Sequence, residues 1–195
     1  MKKITVPQGT EGLIFDLDGT LVDSMARHYD AWLQLGEKYG FTFPEEWLFE
    51  LAGTPNKRIA EILNERLGID LDPARIDKEE VEIYHRMQKE MNVIEPVVEV
   101  VKEYHEKLPM TVGTGSIRLS AEHTLEGANL DGYFSGMVTA SEVTCPKPAP
   151  ETFLKCAELM DVPASKCLVF EDSELGIQAA KDAGMQFVDV RKYYN

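Results

Sequence analysis

Short apolar runs and amphipathic repeats alternate along the chain in a way that predicts an α/β fold. The first apolar run, 12–17, stops at a carboxylate and a glycine and is typical of a buried parallel strand entering a loop. Beyond Glu95-Pro96, strand-like and helical patterns alternate, which predicts a Rossmann-like parallel sheet with helices on both faces. We expect strands at 110–113, 134–139, 166–170 and 186–190, a helix carrying Val97, Val101, Tyr104 and Leu108, and helices at 116–127, 149–160 and 173–183.

Between Ser24 and Val93 the apolar repeat is helical throughout, and no strand pattern interrupts it. It predicts three helices, whose faces carry Met25, His28, Tyr29, Trp32 and Tyr39, then Ile59, Ile62, Leu63 and Leu67, then Ile76, Ile83, Met87 and Met91. Trp32 is expected in the core of this bundle. The chain therefore divides into a discontinuous core, 1–23 and 94–195, and an inserted helical cap, 24–93.

The amino-acid composition limits the kinds of molecule that this chain is expected to bind and the compartment in which it is expected to work. The 195 residues carry a net charge of −14, which argues against nucleic acids and anionic membranes as partners. No apolar run approaches the roughly 20 residues that span a bilayer. Residues 1–11 lack the apolar stretch of a secretory signal, and an odd count of three cysteines is typical of reduced thiols, so a cytoplasmic location is expected.

The residues that carry chemistry fall at the carboxyl ends of the predicted strands, where α/β sheets bind ligands. Each is unremarkable alone, since an Asp-x-Asp pair is common in loops and an acidic pair before a helix can serve the helix dipole. Their occurrence in order at separate strand ends favours a joint role. The set comprises Asp16, Asp18, Thr114, Ser116, Lys147, Glu171 and Asp172.

This set suits the transfer of a phosphoryl group. A phosphate monoester repels nucleophiles because it is doubly charged, and Mg²⁺ held by carboxylates reverses that repulsion. Asp16, Glu171 and Asp172 are the candidate metal ligands. Lys147 and Thr114 can hold phosphate oxygens, assisted by backbone N–H groups in the turns at Gly19 and Gly115.

Asp16 and Asp18 can divide the work between them. Asp16, beside the metal, can attack phosphorus and form an aspartyl phosphate. Asp18, two residues further on, can protonate the leaving oxygen and then take a proton from the attacking water.

At these residues the sequence resembles the haloacid dehalogenase superfamily of phosphatases, and the resemblance covers essentially the whole chain. The matching strings are 15–21 (FDLDGTL), 114–116 (TGS), 147–148 (KP) and 171–172 (ED). Further strings at 170–173, 176–180 and 183–185 resemble the β-phosphoglucomutase-like branch, whose members carry a small four-helix cap. Within that branch the stretches 28–32, 58–60, 112–116 and 189–191 are similar to those of bacterial fructose-1-phosphate phosphatases.

The resemblance implies a role for each matching residue. Asp16 would be the nucleophile and a Mg²⁺ ligand, and Asp18 the acid/base that also offers its backbone carbonyl to the metal. Glu171 and Asp172 would complete the metal site, while Thr114 and Lys147 hold the phosphoryl group. The residues expected to face a small phosphorylated metabolite, once the cap closes, are Gly19, Thr20, His28, Gly53, Arg58, Gly115 and Ser116. A cap that must move favours a monomer.

The sequence departs from that of the related sugar-phosphate mutases at two positions that bear on the type of reaction. Sugar-phosphate mutases of this branch carry a cap-loop arginine where this chain has Asn56, and often a lysine where it has Ile117. Both changes remove positive charge that a bisphosphate intermediate needs, which favours a hydrolase. A phosphomutase, a dehalogenase and a catalytically silent binding module stay open as alternatives. The particular sugar phosphate and any role of Cys145, Cys156 and Cys167 are left open too.

Overall fold

The computed structural model describes residues 3–87 and 91–194. Within this part of the chain the strands are β1 (Gly12–Phe15), β2 (Met110–Gly113), β3 (Gly136–Val138), β4 (Cys167–Glu171) and β5 (Gln186–Asp189). They form one parallel sheet in the order β3-β2-β1-β4-β5. Because β1 lies at the centre and pairs with both β2 and β4, the loops that leave these three strands lie side by side.

Helices cover both faces of the sheet, as the sequence predicts. They are α5 (Glu95–Tyr104), α6 (Arg118–Gly127), α7 (Glu151–Met160) and α8 (Glu174–Asp182). Alternation along β1 sends Leu13 and Phe15 into the cluster that holds the apolar face of α5 and α6, whereas Ile14 enters the cluster under α7 and α8. The α/β fold class is therefore confirmed.

The inserted segment folds into helices around an apolar cluster of its own. They are α1 (Met25–Tyr39), α2 (Glu45–Glu50), α3 (Asn56–Leu67) and α4 (Pro73–Arg86). Trp32, expected in this core, is 1% exposed and stacks on Phe43 with ring centroids 5.2 Å apart. The short helix α2 is not predicted by the sequence pattern. The division into a core and a cap at 24–93 remains a proposal.

Helix α4 joins the bundle to the sheet. Tyr84 belongs to the main sheet cluster, and its hydroxyl lies 2.9 Å from Thr124 Oγ1 on α6. The predicted third cap helix runs to Met91, but α4 ends at Arg86. The Met91 N–H donates to the carbonyl of Gly127 instead of continuing the helical ladder, and its side chain packs in the sheet cluster.

Some residues that the sequence pattern assigns to helices lie in loops at the edge of the sheet instead. The 116–127 helix begins only at Arg118, because the Ser116 N–H donates to Thr114 Oγ1 at 3.0 Å in a tight turn after β2. Helix α5 ends at Tyr104 before reaching Leu108, and Glu106 has a positive φ of 64°. None of the helices in the described ranges combines the length and apolar character that crossing a bilayer requires.

Candidate active site

A buried ion cluster occupies the ends of β1 and β4. Phe15 pairs with Phe170 in the sheet, so Asp16, directly after β1, and Glu171, the last residue of β4, lie side by side. The Lys147 ammonium donates to Asp16 Oδ1 and to Glu171 Oε2, both at 2.7 Å. The Lys147 side chain is 1% exposed. Three parts of the chain, far apart in sequence, therefore converge on one point.

Asp172 completes a carboxylate cluster at the same place. One oxygen each of Asp16, Glu171 and Asp172 lie within 4.8 Å of one another. Burial, then the charge of Glu171, raise the pKa of Asp16 well above its usual range against the opposing pull of Lys147. Burial and Glu171 likewise raise the pKa of Asp172 to about 7, and Thr20 donates to Asp172 Oδ1 at 2.9 Å. Three carboxylates thus face a single ammonium.

Asp18 lies in a different environment. It accepts hydrogen bonds from the hydroxyls of Ser24 at 2.6 Å and Ser116 at 2.7 Å, and His28 Nε2 lies 3.4 Å from its Oδ1. Burial alone would raise its pKa, but these bonds and the charge of His28 hold the pKa of Asp18 below its usual range. The pKa values of Asp16 and Asp18 are therefore shifted in opposite directions, that of Asp16 upward and that of Asp18 downward.

His28 connects Asp18 to the cap. Its Nδ1 lies 2.8 Å from Glu80 Oε1 on α4, and its ring stacks on Tyr84 with centroids 4.4 Å apart. Burial lowers the pKa of His28, but the charge of Glu80 and the bond to Asp18 outweigh it and raise that pKa to about 10. Asn56 Nδ2 donates to the other Glu80 oxygen at 2.7 Å. His28 is thus an imidazolium held between two carboxylates.

A cleft of about 800 Å³, part of it open to solvent, lies between the strand ends and helices α1 to α4. Of the predicted site residues, Asp16, Asp18, His28, Gly53, Thr114, Gly115, Ser116, Glu171 and Asp172 border it. Lys147 and Thr20 are buried and donate hydrogen bonds to the carboxylates of this cluster. Arg58 is not brought to the cleft, because it lies on the exposed side of α3, where it pairs with Glu61 at 2.9 Å and Glu65 at 3.3 Å.

Glycine is required where loops approach closely. Gly19 has a φ of 83°, and a Cβ there would collide with the Asp172 carboxylate. A Cβ on Gly115 would lie 2.6 Å from the carbonyl oxygen of Gly53. The loop after β2 and the loop before α3 therefore touch backbone to backbone across the cleft.

We expect Gly115→Ala to lower kcat/KM by about 10- to 100-fold, because the added methyl group pushes the Gly53 loop away and opens the cleft. Steady-state assays measure the loss. Gly132→Ala is the matched control, since nothing lies within 4 Å of a Cβ at that position. Equal activities of the two variants would contradict the importance of this loop contact.

Comparison with known proteins identifies the family of this chain. The family described as "Haloacid dehalogenase-like hydrolase" matches residues 13–190 of this chain. The chain belongs to this family. The resemblance noted from the sequence motifs is therefore confirmed.

Individual family members extend the match over nearly the full length. The chain is 43% identical over 180 residues to fructose-1-phosphate phosphatase YqaB of Escherichia coli, covering 92% of this chain and 96% of that protein. It is 31% identical over 180 residues to a phosphorylated carbohydrates phosphatase of Thermotoga maritima, covering 90% and 82% respectively. A hydrolase from Pseudomonas syringae has the same fold, with a TM-score of 0.84, 24% identity and coverage of 95% and 87%.

Several residues of this hydrolase site are missed by motif reasoning. Ser24 and Glu80 bond directly to predicted site residues, and Asp77 borders the cleft beside Glu80. Glu80 leaves a signal in the sequence, because it interrupts the apolar face of α4 between Ile76 and Ile83. A carboxylate on a buried helix face calls for a partner.

Proposed function

We propose that this chain is a Mg²⁺-dependent phosphatase that hydrolyses a small sugar phosphate resembling fructose 1-phosphate through an aspartyl phosphate. The observation that carries the proposal is the joint placement of the carboxylate cluster and Asp18 at the floor of one capped cleft, with the Lys147 ammonium bonded to that cluster. The named activities of two relatives, a fructose-1-phosphate phosphatase and a phosphorylated carbohydrates phosphatase, support the choice of substrate.

The cluster fits a divalent cation. Its donors are all carboxylate oxygens, the ligands that Mg²⁺ prefers. Burial, then the charge of Glu171, raises the pKa of both Asp16 and Asp172, and a divalent cation would counter this by supplying positive charge. Asp16, Glu171 and Asp172 would hold the ion together with the backbone carbonyl of Asp18, and bonds from Ser173 and Lys147 fix the Glu171 carboxylate. When bound, Mg²⁺ would offset the charge of the phosphate.

Two displacements at phosphorus follow. An Asp16 oxygen attacks phosphorus, the bond from phosphorus to the sugar oxygen breaks, and that oxygen takes a proton from Asp18. Water then attacks phosphorus, its proton passes to Asp18, and the bond to the Asp16 oxygen breaks, releasing phosphate and restoring Asp16. Asp18 must carry a proton in the first displacement, and the approach of a phosphate dianion raises its pKa towards that state. Thr114 and Lys147 hold the other phosphoryl oxygens.

Water is favoured over a second sugar oxygen as the final acceptor. A mutase turns over a bisphosphate, and no Lys or Arg is among the described residues that border the cleft. Asn56, at the position where the mutases carry arginine, bonds instead to a glutamate. A coupled assay for glucose 6-phosphate from β-glucose 1-phosphate would reveal mutase activity.

A panel of hexose and polyol monophosphates tests the proposal by phosphate release. We expect turnover with Mg²⁺ and a loss of at least about 100-fold when EDTA removes it, restored by added Mg²⁺. Folded protein that releases phosphate from none of these compounds would disprove the proposal. Halide release from haloacids without Mg²⁺ would point to a dehalogenase instead.

A further inference from the structure

The cap end of the cleft carries negative charge that the proposed reaction does not use. Glu80 is 1% exposed, yet it lies on the face of α4 that also presents Ile76 and Ile83 to the cap core. Its two oxygens are bound by His28 and Asn56 at 2.8 and 2.7 Å. Taking a carboxylate out of water is costly, and a leucine there would pack without that cost. A carboxylate at this position calls for a functional explanation.

Charge balance around Glu80 stays negative. The His28 imidazolium lies between Glu80 and Asp18, so one positive charge faces two negative ones. Asp77, one turn before Glu80 on α4, borders the same cleft and adds a further carboxylate. Lys57, an exposed neighbour on α3, acts on Asp77 electrostatically but does not border the cleft. The cap-side wall of the cleft is therefore acidic, and its Glu80 carboxylate is shielded from water.

Such a wall distinguishes hydroxyl groups from phosphate. Each carboxylate oxygen has two lone pairs, so the Glu80 oxygens bound by His28 and Asn56 can each accept one further hydrogen bond from a sugar hydroxyl. A second phosphate in the same place would bring like charges together in a partly desolvated cleft, which opposes its binding. Asn56 can bond to a hydroxyl as well, but it carries no charge to compensate a phosphate.

We propose that Glu80, assisted by Asp77, is a specificity-determining residue that restricts the site to substrates with one phosphate and an uncharged, hydroxyl-bearing remainder. The inference rests on the proposed phosphatase function and adds a rule for choosing among sugar phosphates. Repulsion at the cap end, as well as fit at the strand ends, then sets the substrate. His28 and Asn56 hold the Glu80 carboxylate in position.

The test compares fructose 1-phosphate with fructose 1,6-bisphosphate, which differ in the second phosphate. We measure KM for fructose 1-phosphate and the inhibition constant of the bisphosphate against it. The preference is the ratio of that inhibition constant to KM. Wild type is expected to bind the bisphosphate at least about 100-fold more weakly, because like charges oppose it. Glu80→Gln should reduce this preference about ten-fold, mainly through tighter bisphosphate binding, and Asp77→Asn should change it in the same direction.

Glu82→Gln is the matched control, because Glu82 lies on the exposed side of the same helix. It should leave the preference unchanged. If Glu80→Gln weakens both ligands equally, Glu80 only positions His28, and the specificity proposal is wrong. Thermal unfolding shows whether Glu80→Gln folds. If it does not, Asp77→Asn decides, and an unchanged preference in that variant overturns the proposal.

Calorimetry measures binding of both ligands to Asp16→Asn, alone and combined with Glu80→Gln. Together with turnover by wild type, it separates the specificity proposal from the proposed phosphatase function. Turnover by wild type with no discrimination between the ligands refutes the specificity rule and leaves the phosphatase function in place. Discrimination that depends on Glu80, without turnover by wild type, refutes the function and keeps the rule. Failure to bind either ligand overturns the specificity proposal.

Discussion

An Asp16→Asn variant is expected to lose phosphate release by about 10⁴-fold or more, because an amide cannot replace the carboxylate nucleophile. The variant should keep its fold, since asparagine has nearly the shape of aspartate and Asp16 is only 4% exposed. The charge of Asp16 is disfavoured by burial and by Glu171, so its removal relieves repulsion while the Lys147–Glu171 pair stays. Steady-state phosphate release and thermal unfolding measure the two effects.

Asp131→Asn is the matched control for this prediction. Asp131 is exposed in the 3₁₀ turn Asp131–Tyr133, away from the residues that border the cleft. It should match wild type in activity and in unfolding temperature. Full activity of a correctly folded Asp16→Asn variant would show that another group attacks phosphorus.

The sheet and its strand-end residues could be predicted because both depend on local signals. Each strand is a short apolar run, and parallel pairing brings the carboxyl ends of neighbouring strands to one edge. The adjacency of Asp16 and Glu171 then follows once β1 pairs with β4. The strand order could not be predicted, because it depends on which buried faces pack together. Similar apolar runs at β2 and β4 do not encode that choice.

The cap was less predictable because its contacts depend on how helices rotate about their axes. Arg58 and Asn56 both fall in the first turn of α3, yet Asn56 faces the cleft and Arg58 faces solvent. The motif string that includes Arg58 does not specify the rotation of its helix. Helix α2 is six residues long, too short for a helical repeat to stand out. The contact between Glu80 and His28 joins α4 to α1. Its signal in the local sequence is limited to a charged residue on the apolar face of α4.

The second large effect is expected from Lys147→Met. Methionine keeps an unbranched chain against the Phe153 ring but removes the ammonium, which lies 2.7 Å from both Asp16 and Glu171. Three buried carboxylates then face no cation within their cluster, which should lower the free energy of unfolding by about 3–5 kcal/mol. Phosphate release should fall about 10²- to 10³-fold, because one charge on the phosphoryl group goes uncompensated. Urea unfolding and steady-state assays measure both.

Magnesium distinguishes this explanation from a simple packing defect. A divalent cation at the carboxylate cluster supplies the missing positive charge, so Mg²⁺ should stabilise Lys147→Met more than it stabilises wild type. Lys166→Met is the matched control, because Lys166 is exposed and its pair with Glu11 spans 3.4 Å. Exposed pairs contribute little, so this variant should unfold as wild type does, with or without Mg²⁺. If Mg²⁺ stabilised Lys147→Met no more than it stabilises wild type, the lost stability would have to come from packing instead of charge.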